Sequence, residues 1–192
     1  MVYNPSIAGS AVIGATAALW MHSIRDLGEE ESSRLLRPLL LSALVGAVTG
    51  LLIFFTSHNL KYLDLGILFT ALLYPLISVT GMAIVSRRYG SGSEVTVGIG
   101  QAAGISLILS IGSTMNVSAL EALLYPLALT VSLAGAHALA SVLTSRRAKL
   151  SPIPLAVVYC TMLLWWWGGS PAAALLAGLA EGLFMYYLSY SS

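Results

Sequence analysis

The chain has 192 residues, of which 57% are hydrophobic and only 9% are charged. Ordinary soluble domains carry about 25% charged residues, and so few charges could not cover a soluble surface of this size. The near balance of nine Lys or Arg against eight Asp or Glu argues against nucleic acid as a partner. We therefore expect the lipid bilayer to be the solvent.

Charges and loop residues divide the chain into seven apolar segments. A bilayer is crossed by about 20 apolar residues, and lipid cannot pair a free backbone amide, so each segment is predicted to be a helix. The predicted helices are 6–22, 37–56, 64–86, 95–112, 118–143, 152–168 and 171–190. We expect Pro38 in the first turn of the second helix, where an amide would be unbonded. The whole chain, 1–192, is predicted to be a single all-α transmembrane bundle.

The basic residues indicate how the helices are oriented. Eight of the nine follow the first, third and fifth helices: Arg25, Arg34, Arg37, Arg87, Arg88, Arg146, Arg147 and Lys149. Loops rich in Lys and Arg stay in the cytoplasm. The pattern predicts a multi-pass protein of the cell membrane with an outer amino terminus and a cytoplasmic carboxyl terminus.

An internal duplication is the next feature of the sequence. The residues from Ala71 to Leu76, Ala-Leu-Leu-Tyr-Pro-Leu, recur identically from Ala122 to Leu127. Each copy lies in a predicted helix that ends in an Arg-Arg pair, so helices 2–3 and 4–5 are interpreted as one hairpin in tandem. Such copies would be related by an axis along the membrane normal, unlike an inverted repeat.

Pairs of glycines four residues apart occur in three of the predicted helices. They are Gly46 with Gly50, Gly100 with Gly104, and Gly178 with Gly182. Small residues at this spacing line one helix face and let two backbones approach closely. We expect packing inside the bundle, with homo-oligomer formation through one face as the alternative.

Two prolines fall inside predicted helices, Pro75 and Pro126. Each removes a backbone hydrogen bond and is expected to kink its helix. The freed carbonyls need partners, and a cavity between the kinked helices is one place to find them.

Two carboxylates are candidates for a site in the membrane. Glu181 lies ten residues after Pro171, which is about 15 Å along a helix and near the midplane. An ionisable group at that depth is a functional candidate, so we expect Glu181 to carry a proton or to bind a cation, or to be a neutral group bonded to another helix. Glu121 is expected at the outer rim of its helix.

Other polar side chains could line a path with these carboxylates. Tyr125 lies one turn below Glu121, Thr70 and Tyr74 are the matching positions of the first copy, and Gln101 lies in the second glycine motif. The histidines show no metal-ligand spacing, and the single cysteine excludes a thiolate cluster. We predict neither a cofactor nor a metal site.

Three classes of function remain open. The bundle, the tandem hairpins, the prolines and Glu181 favour a small transporter or channel-like protein, coupled to a proton or cation through that carboxylate. Small size and several small-residue faces suit a structural or accessory subunit of a membrane complex. A membrane-embedded enzyme acting on lipid ranks last, because few polar residues are predicted at one depth.

Overall fold

A computed structural model describes residues 5–60, 72–90, 92–113, 118–167 and 171–191. These residues form seven helices and no strand, which confirms the all-α prediction. Numbered in chain order, the helices are α1 (Pro5–Ser23), α2 (Glu29–Leu60), α3 (Tyr74–Tyr89), α4 (Glu94–Ser113), α5 (Ala119–Ser145), α6 (Ile153–Trp167) and α7 (Pro171–Ser191). Three stretches within them are long and apolar enough to cross a membrane: Glu29–Thr56, Glu94–Ile111 and Ala119–Ser145.

The start of α2 differs from the prediction. The helix begins at Glu29 rather than at residue 37, and Pro38 lies inside it instead of in its first turn. Three glutamates lie in the first turn, where their negative charges interact favourably with the positive end of the helix dipole. Glu30 also forms an ion pair with Arg34 one turn later. The carbonyl freed by Pro38 belongs to the exposed Arg34, where water can pair with it.

The start of α3 lies at the edge of the described residues. The predicted boundary at 64 falls within 61–71, outside the described residues. Leu72 and Leu73 adopt a π turn directly before Tyr74, and Pro75 occupies the first turn of α3. Pro126, in contrast, lies well inside α5. The two identical hexapeptides therefore differ in local backbone, with a π turn in the first copy and regular α-helix in the second.

The helix α5 is the centre of the bundle. It packs against α1, α3, α4, α6 and α7, and most of its residues from Pro126 to Val142 are buried. Small residues on α5 make these contacts close. A side chain at Gly98 of α4 would meet the backbone of Ala138 at 2.5 Å, so only glycine fits there.

The glycine motifs of α2 and α4 face each other. A Cβ atom at Gly46 would collide with the carbonyl of Gln101, and one at Gly104 would collide with the carbonyl of Ala43. At the next turn, a Cβ at Gly50 would lie 3.1 Å from the Cα of Ile105. The residue numbers of the contacting pairs rise together along both helices, from Gly46 with Gln101 to Gly50 with Ile105. The helices α2 and α4 therefore run parallel, in backbone contact.

The third glycine motif packs against α5. A Cβ at Gly178 of α7 would lie 2.7 Å from the Oγ of Ser132, and one at Gly182 would lie 2.5 Å from the Cα of the same serine. Gly135 of α5 faces the carbonyl of Gly182. All three glycine pairs thus lie at contacts between helices of one chain.

Candidate functional site

A cluster of buried polar side chains lies between α3, α4, α5 and α6. Each helix contributes one member, respectively Ser78, Gln101, His137 and Tyr159. All four residues are between 0 and 1% exposed. We call these four residues the polar cluster. Burial of polar groups is costly unless they are hydrogen-bonded, so their partners decide what the cluster can do.

Contacts connect the members across the helices. The Nε2 of Gln101 donates a hydrogen bond of 3.1 Å to the backbone carbonyl of Ser78. The Tyr159 side chain neighbours that of Ser78, and its ring centroid lies 6.2 Å from that of His137 in an edge-on arrangement. On another side it lies 6.4 Å from the ring of Tyr74. The cluster is therefore continuous from α4 through α3 and α6 to α5.

The hydrogen bonds of the polar cluster are incomplete within the described ranges. The Oε1 of Gln101 and the Nε2 of His137 have no partner there, and the hydroxyls of Ser78 and Tyr159 have none beyond each other. Leaving a buried polar atom unpaired costs about 1–3 kcal/mol. The atoms of the polar cluster lie in one region, where they keep the capacity to pair with a water molecule or a small polar solute.

His137 has a defined orientation in the polar cluster. Its Nδ1 lies 2.8 Å from the carbonyl of Leu133, one turn earlier in α5. A carbonyl only accepts hydrogen bonds, so Nδ1 carries the proton and the neutral ring presents a lone pair at Nε2. The cluster thus contains one proton acceptor beside the Tyr159 ring.

Two residues predicted from the sequence lie at this region. Gln101 belongs to the polar cluster, and Tyr74 packs beside it while its hydroxyl contacts Thr56 of α2. Thr70, the third predicted residue of that group, lies outside the described residues. Its predicted convergence with the others stays a prediction.

Glu181 is bonded to a neighbouring helix rather than isolated. The Oγ1 of Thr161 in α6 lies 2.9 and 3.1 Å from the two carboxylate oxygens of Glu181 in α7. Glu181 is partly exposed, and Thr161 belongs to the opposite side of α6 from the buried Tyr159. The carboxylate and the polar cluster are therefore separate sites.

Glu121 has a structural partner at the start of α5. Its backbone amide donates to the Oγ of Ser118 at 3.2 Å, and its carboxylate accepts from the Ser118 amide at 2.8 Å. This reciprocal pair is a capping box, which satisfies two amides at the helix start. Tyr125 donates to the same carboxylate at 3.5 Å. Tyr74 is buried whereas Tyr125 is half-buried, so the two copies of the hexapeptide place their tyrosines in different surroundings.

The remaining histidine with a described side chain, His22, has partners of its own. Its Nδ1 lies 3.2 Å from the hydroxyl of Tyr186, which donates to the Leu19 carbonyl at 2.8 Å. Within the described part of the chain, no group of three or more His, Cys, Asp or Glu side chains could hold a metal ion.

Sequence reasoning missed three members of the polar cluster, Ser78, His137 and Tyr159. A signal for one was present, since His137 is a lone ionisable residue in an otherwise apolar stretch of small residues.

Comparison of the chain with protein-family models, curated proteins and solved structures finds no match to any of them.

Proposed function

We propose that this chain is a small multi-pass membrane transporter or channel-like protein that moves a proton or a small cation through the polar cluster. The observation that carries the proposal is the set of polar atoms that α3, α4, α5 and α6 bring to one buried region and whose hydrogen bonds are incomplete among the residues that the structure describes. A bundle built only for stability would fill this region with apolar side chains.

The proposal includes seven membrane crossings, with one end of the helix bundle facing the cytoplasm. In support, arginines from separate connections gather at one end of the bundle: Arg34, Arg37 and Arg88 line one groove, and Arg87 and Arg147 line another. Because basic residues mark the cytoplasmic side, this end is assigned to the cytoplasm. The parallel course of α2 and α4 supports the alternating topology and the tandem hairpins.

The cluster suits a proton because it combines a proton acceptor with hydroxyl and amide groups. The Nε2 of His137 can take up a proton, and the hydroxyls of Tyr159 and Ser78 can both donate and accept. Side chains of this kind, with intervening water, form proton relays in membrane proteins. The polar cluster carries no carboxylate that would hold a metal cation tightly, so we expect the proton to be the preferred cargo.

Proton flux into liposomes tests the proposal. Purified protein is reconstituted with a pH-sensitive dye inside, and a potassium gradient with valinomycin drives proton entry. We expect faster acidification than in empty liposomes, and a fall of at least about tenfold for His137→Gln, which keeps a polar side chain but removes the proton acceptor. Vesicles containing a potassium-sensitive dye test a metal cation as the cargo.

His22→Gln is the matched control, because the same substitution is made outside the polar cluster. It should leave the flux unchanged. A wild-type rate in the His137 variant would remove the polar cluster from the pathway, and no flux of either ion in the wild type would overturn transport itself.

Glu181→Gln tests the coupling carboxylate predicted from the sequence. Glutamine retains a side-chain oxygen that can accept from Thr161 but cannot release a proton near neutral pH. Unchanged flux would show that the carboxylate has no coupling role. Loss of flux in this variant together with normal flux in His137→Gln would move the pathway to the contact between α6 and α7.

A second candidate function is that of an accessory subunit in a membrane complex. The observation that favours it is an exposed face of small residues on α1, formed by Ser10, Gly14 and Ala18. A Cβ at Gly14 would meet nothing within 4 Å, so the helix offers close approach to a partner helix. Copurification of a second membrane protein in mild detergent, lost in Gly14→Leu, would favour this function over transport by the chain alone.

A further inference from the structure

A groove at the arginine-bearing end of the bundle has a chemistry of its own, separate from the polar cluster. It lies between the start of α2 and the end of α3, has a volume of about 740 Å³, and is lined by Arg34, Arg37, Arg88, Glu31, Tyr89 and Ser93 among others. Two glycines with positive φ, Gly90 at 81° and Gly92 at 92°, lie between the end of α3 and Ser93, which lines the groove together with Arg88.

The charge of this groove is not balanced. Arg34 is paired with Glu30, and Glu31 also lines the groove, but neither Arg37 nor Arg88 has a carboxylate within ion-pair distance in the part of the chain that the structure describes. Three arginines therefore stand against two glutamates, and the groove keeps a net positive charge. Two unpaired guanidinium groups on one groove favour an anion, and a phosphate group accepts their hydrogen bonds in pairs.

Apolar surface leads away from both arginines. On α2, Leu40 and Leu44 lie three and seven residues after Arg37 on the same helix face, and they are 57% and 66% exposed. On α3, Ile84 lies one turn before Arg88 and is 65% exposed. An anion held at the groove would therefore have apolar helix faces running from it toward the middle of the bundle.

We propose that this groove binds the headgroup phosphate of an anionic phospholipid, with Arg37 and Arg88 as its ligands and the acyl chains along Leu40, Leu44 and Ile84. A free phosphate would use the arginines alone, whereas a lipid uses the arginines and the apolar faces together. Basic pockets between membrane helices on the cytoplasmic side bind lipid headgroups in this way.

Lipid retention measured by native mass spectrometry tests this site. The protein in detergent is mixed with equal amounts of phosphatidylglycerol and phosphatidylcholine, and the bound lipid is counted. We expect a preference for phosphatidylglycerol that falls about fivefold in Arg37→Gln or Arg88→Gln and about 25-fold in the double variant. Higher salt should weaken the preference, because the arginines are exposed and their charges are screened.

Arg25→Gln is the control, since it removes the same charge from an exposed arginine that is paired with Asp26 outside this groove. It should keep the preference. Equal retention of both lipids by the wild type, or an unchanged preference in the double variant, would overturn the site. Binding of inorganic phosphate as tight as that of phosphatidylglycerol would replace the lipid by a soluble anion. Each variant's melting temperature identifies any loss of fold, and the single variants then decide the result.

Discussion

The contact between α2 and α4 and the polar cluster around α5 are built in opposite ways. Between α2 and α4, glycines bring the two backbones together so closely that a single methyl group at Gly46 or Gly104 would collide with a carbonyl. In the polar cluster, large side chains meet and leave two polar atoms without a partner among the described residues, the Nε2 of His137 and the Oε1 of Gln101.

This difference separates a scaffold from a site. In lipid, helices gain no hydrophobic stabilisation by meeting, so close backbone packing is the main source of affinity between them. Unpaired polar atoms have the opposite effect, because each one costs free energy in the folded state. The polar cluster keeps this cost, whereas the neighbouring contact between α2 and α4 is closely packed. We therefore expect function at the polar cluster.

The largest expected effect breaks the glycine contact. Gly104→Ala places a Cβ against the carbonyl of Ala43, and overpacking of this kind lowers the free energy of unfolding by about 1–3 kcal/mol. The measurement is unfolding of the purified protein in mixed micelles with increasing SDS. Gly14→Ala is the control, since a Cβ there meets nothing within 4 Å; it should raise the free energy of unfolding by about 0.4–1 kcal/mol, because alanine favours the helix over glycine. Equal stability of the two variants would mean that α2 and α4 are not in backbone contact.

A pair of tyrosine substitutions sharpens the comparison from the other side. Tyr159→Phe removes a buried hydroxyl whose side-chain neighbour is Ser78, and should lower proton flux while it leaves the free energy of unfolding within about 0.5 kcal/mol of the wild type. Tyr74→Phe removes a hydroxyl that is bonded to Thr56 and should lower the free energy of unfolding by about 1 kcal/mol. The same unfolding measurement compares both variants with the wild type. Destabilisation by Tyr159→Phe equal to that of Tyr74→Phe would show that the two hydroxyls are equally well bonded, and a wild-type proton flux in this variant would exclude Tyr159 from the proposed pathway.

The smallest expected effect concerns the contact between α6 and α7. Thr161→Val removes the hydroxyl that donates to Glu181 and should lower the free energy of unfolding by about 0.6 kcal/mol, the usual size of such bonds in membranes. Thr80→Val is the control, because its hydroxyl bonds to the Leu76 carbonyl within its own helix. A loss of unfolding free energy no larger than the control's would mean that the hydrogen bond from Thr161 of α6 to the Glu181 carboxylate does not stabilise the protein.

Some features of the candidate site could be predicted from the sequence. Gln101 and Tyr74 were singled out as polar residues in apolar helices, and both lie at the buried region. The carboxylates were harder to interpret, because depth alone does not tell whether a neighbouring helix offers a partner. Thr161 is such a partner for Glu181. The role of Glu121 was present as a local signal, Ser118 followed by glutamate three residues later, which is the pattern of a capping box.

Helix boundaries show a similar division. The prediction began the second helix at Arg37-Pro38, because proline was expected in a first turn. The structure continues the helix back to Glu29, since the acidic first turn and the pair of Glu30 with Arg34 stabilise it locally. Both stabilising features can be read from the sequence. Whether together they outweigh the free-energy cost of an internal proline cannot be read from it.

By itself, the sequence determined that this protein is all-helical, because sustained apolar stretches broken by charged loops leave the backbone no other way to pair its amides in lipid. It also determined where glycine allows helices to approach. Only the tertiary structure decided which helices meet at those glycines, and that Ser78, Gln101, His137 and Tyr159 share one buried region. Such meetings depend on the relative rotation of each helix, which comes from the packing of all seven together rather than from any local pattern.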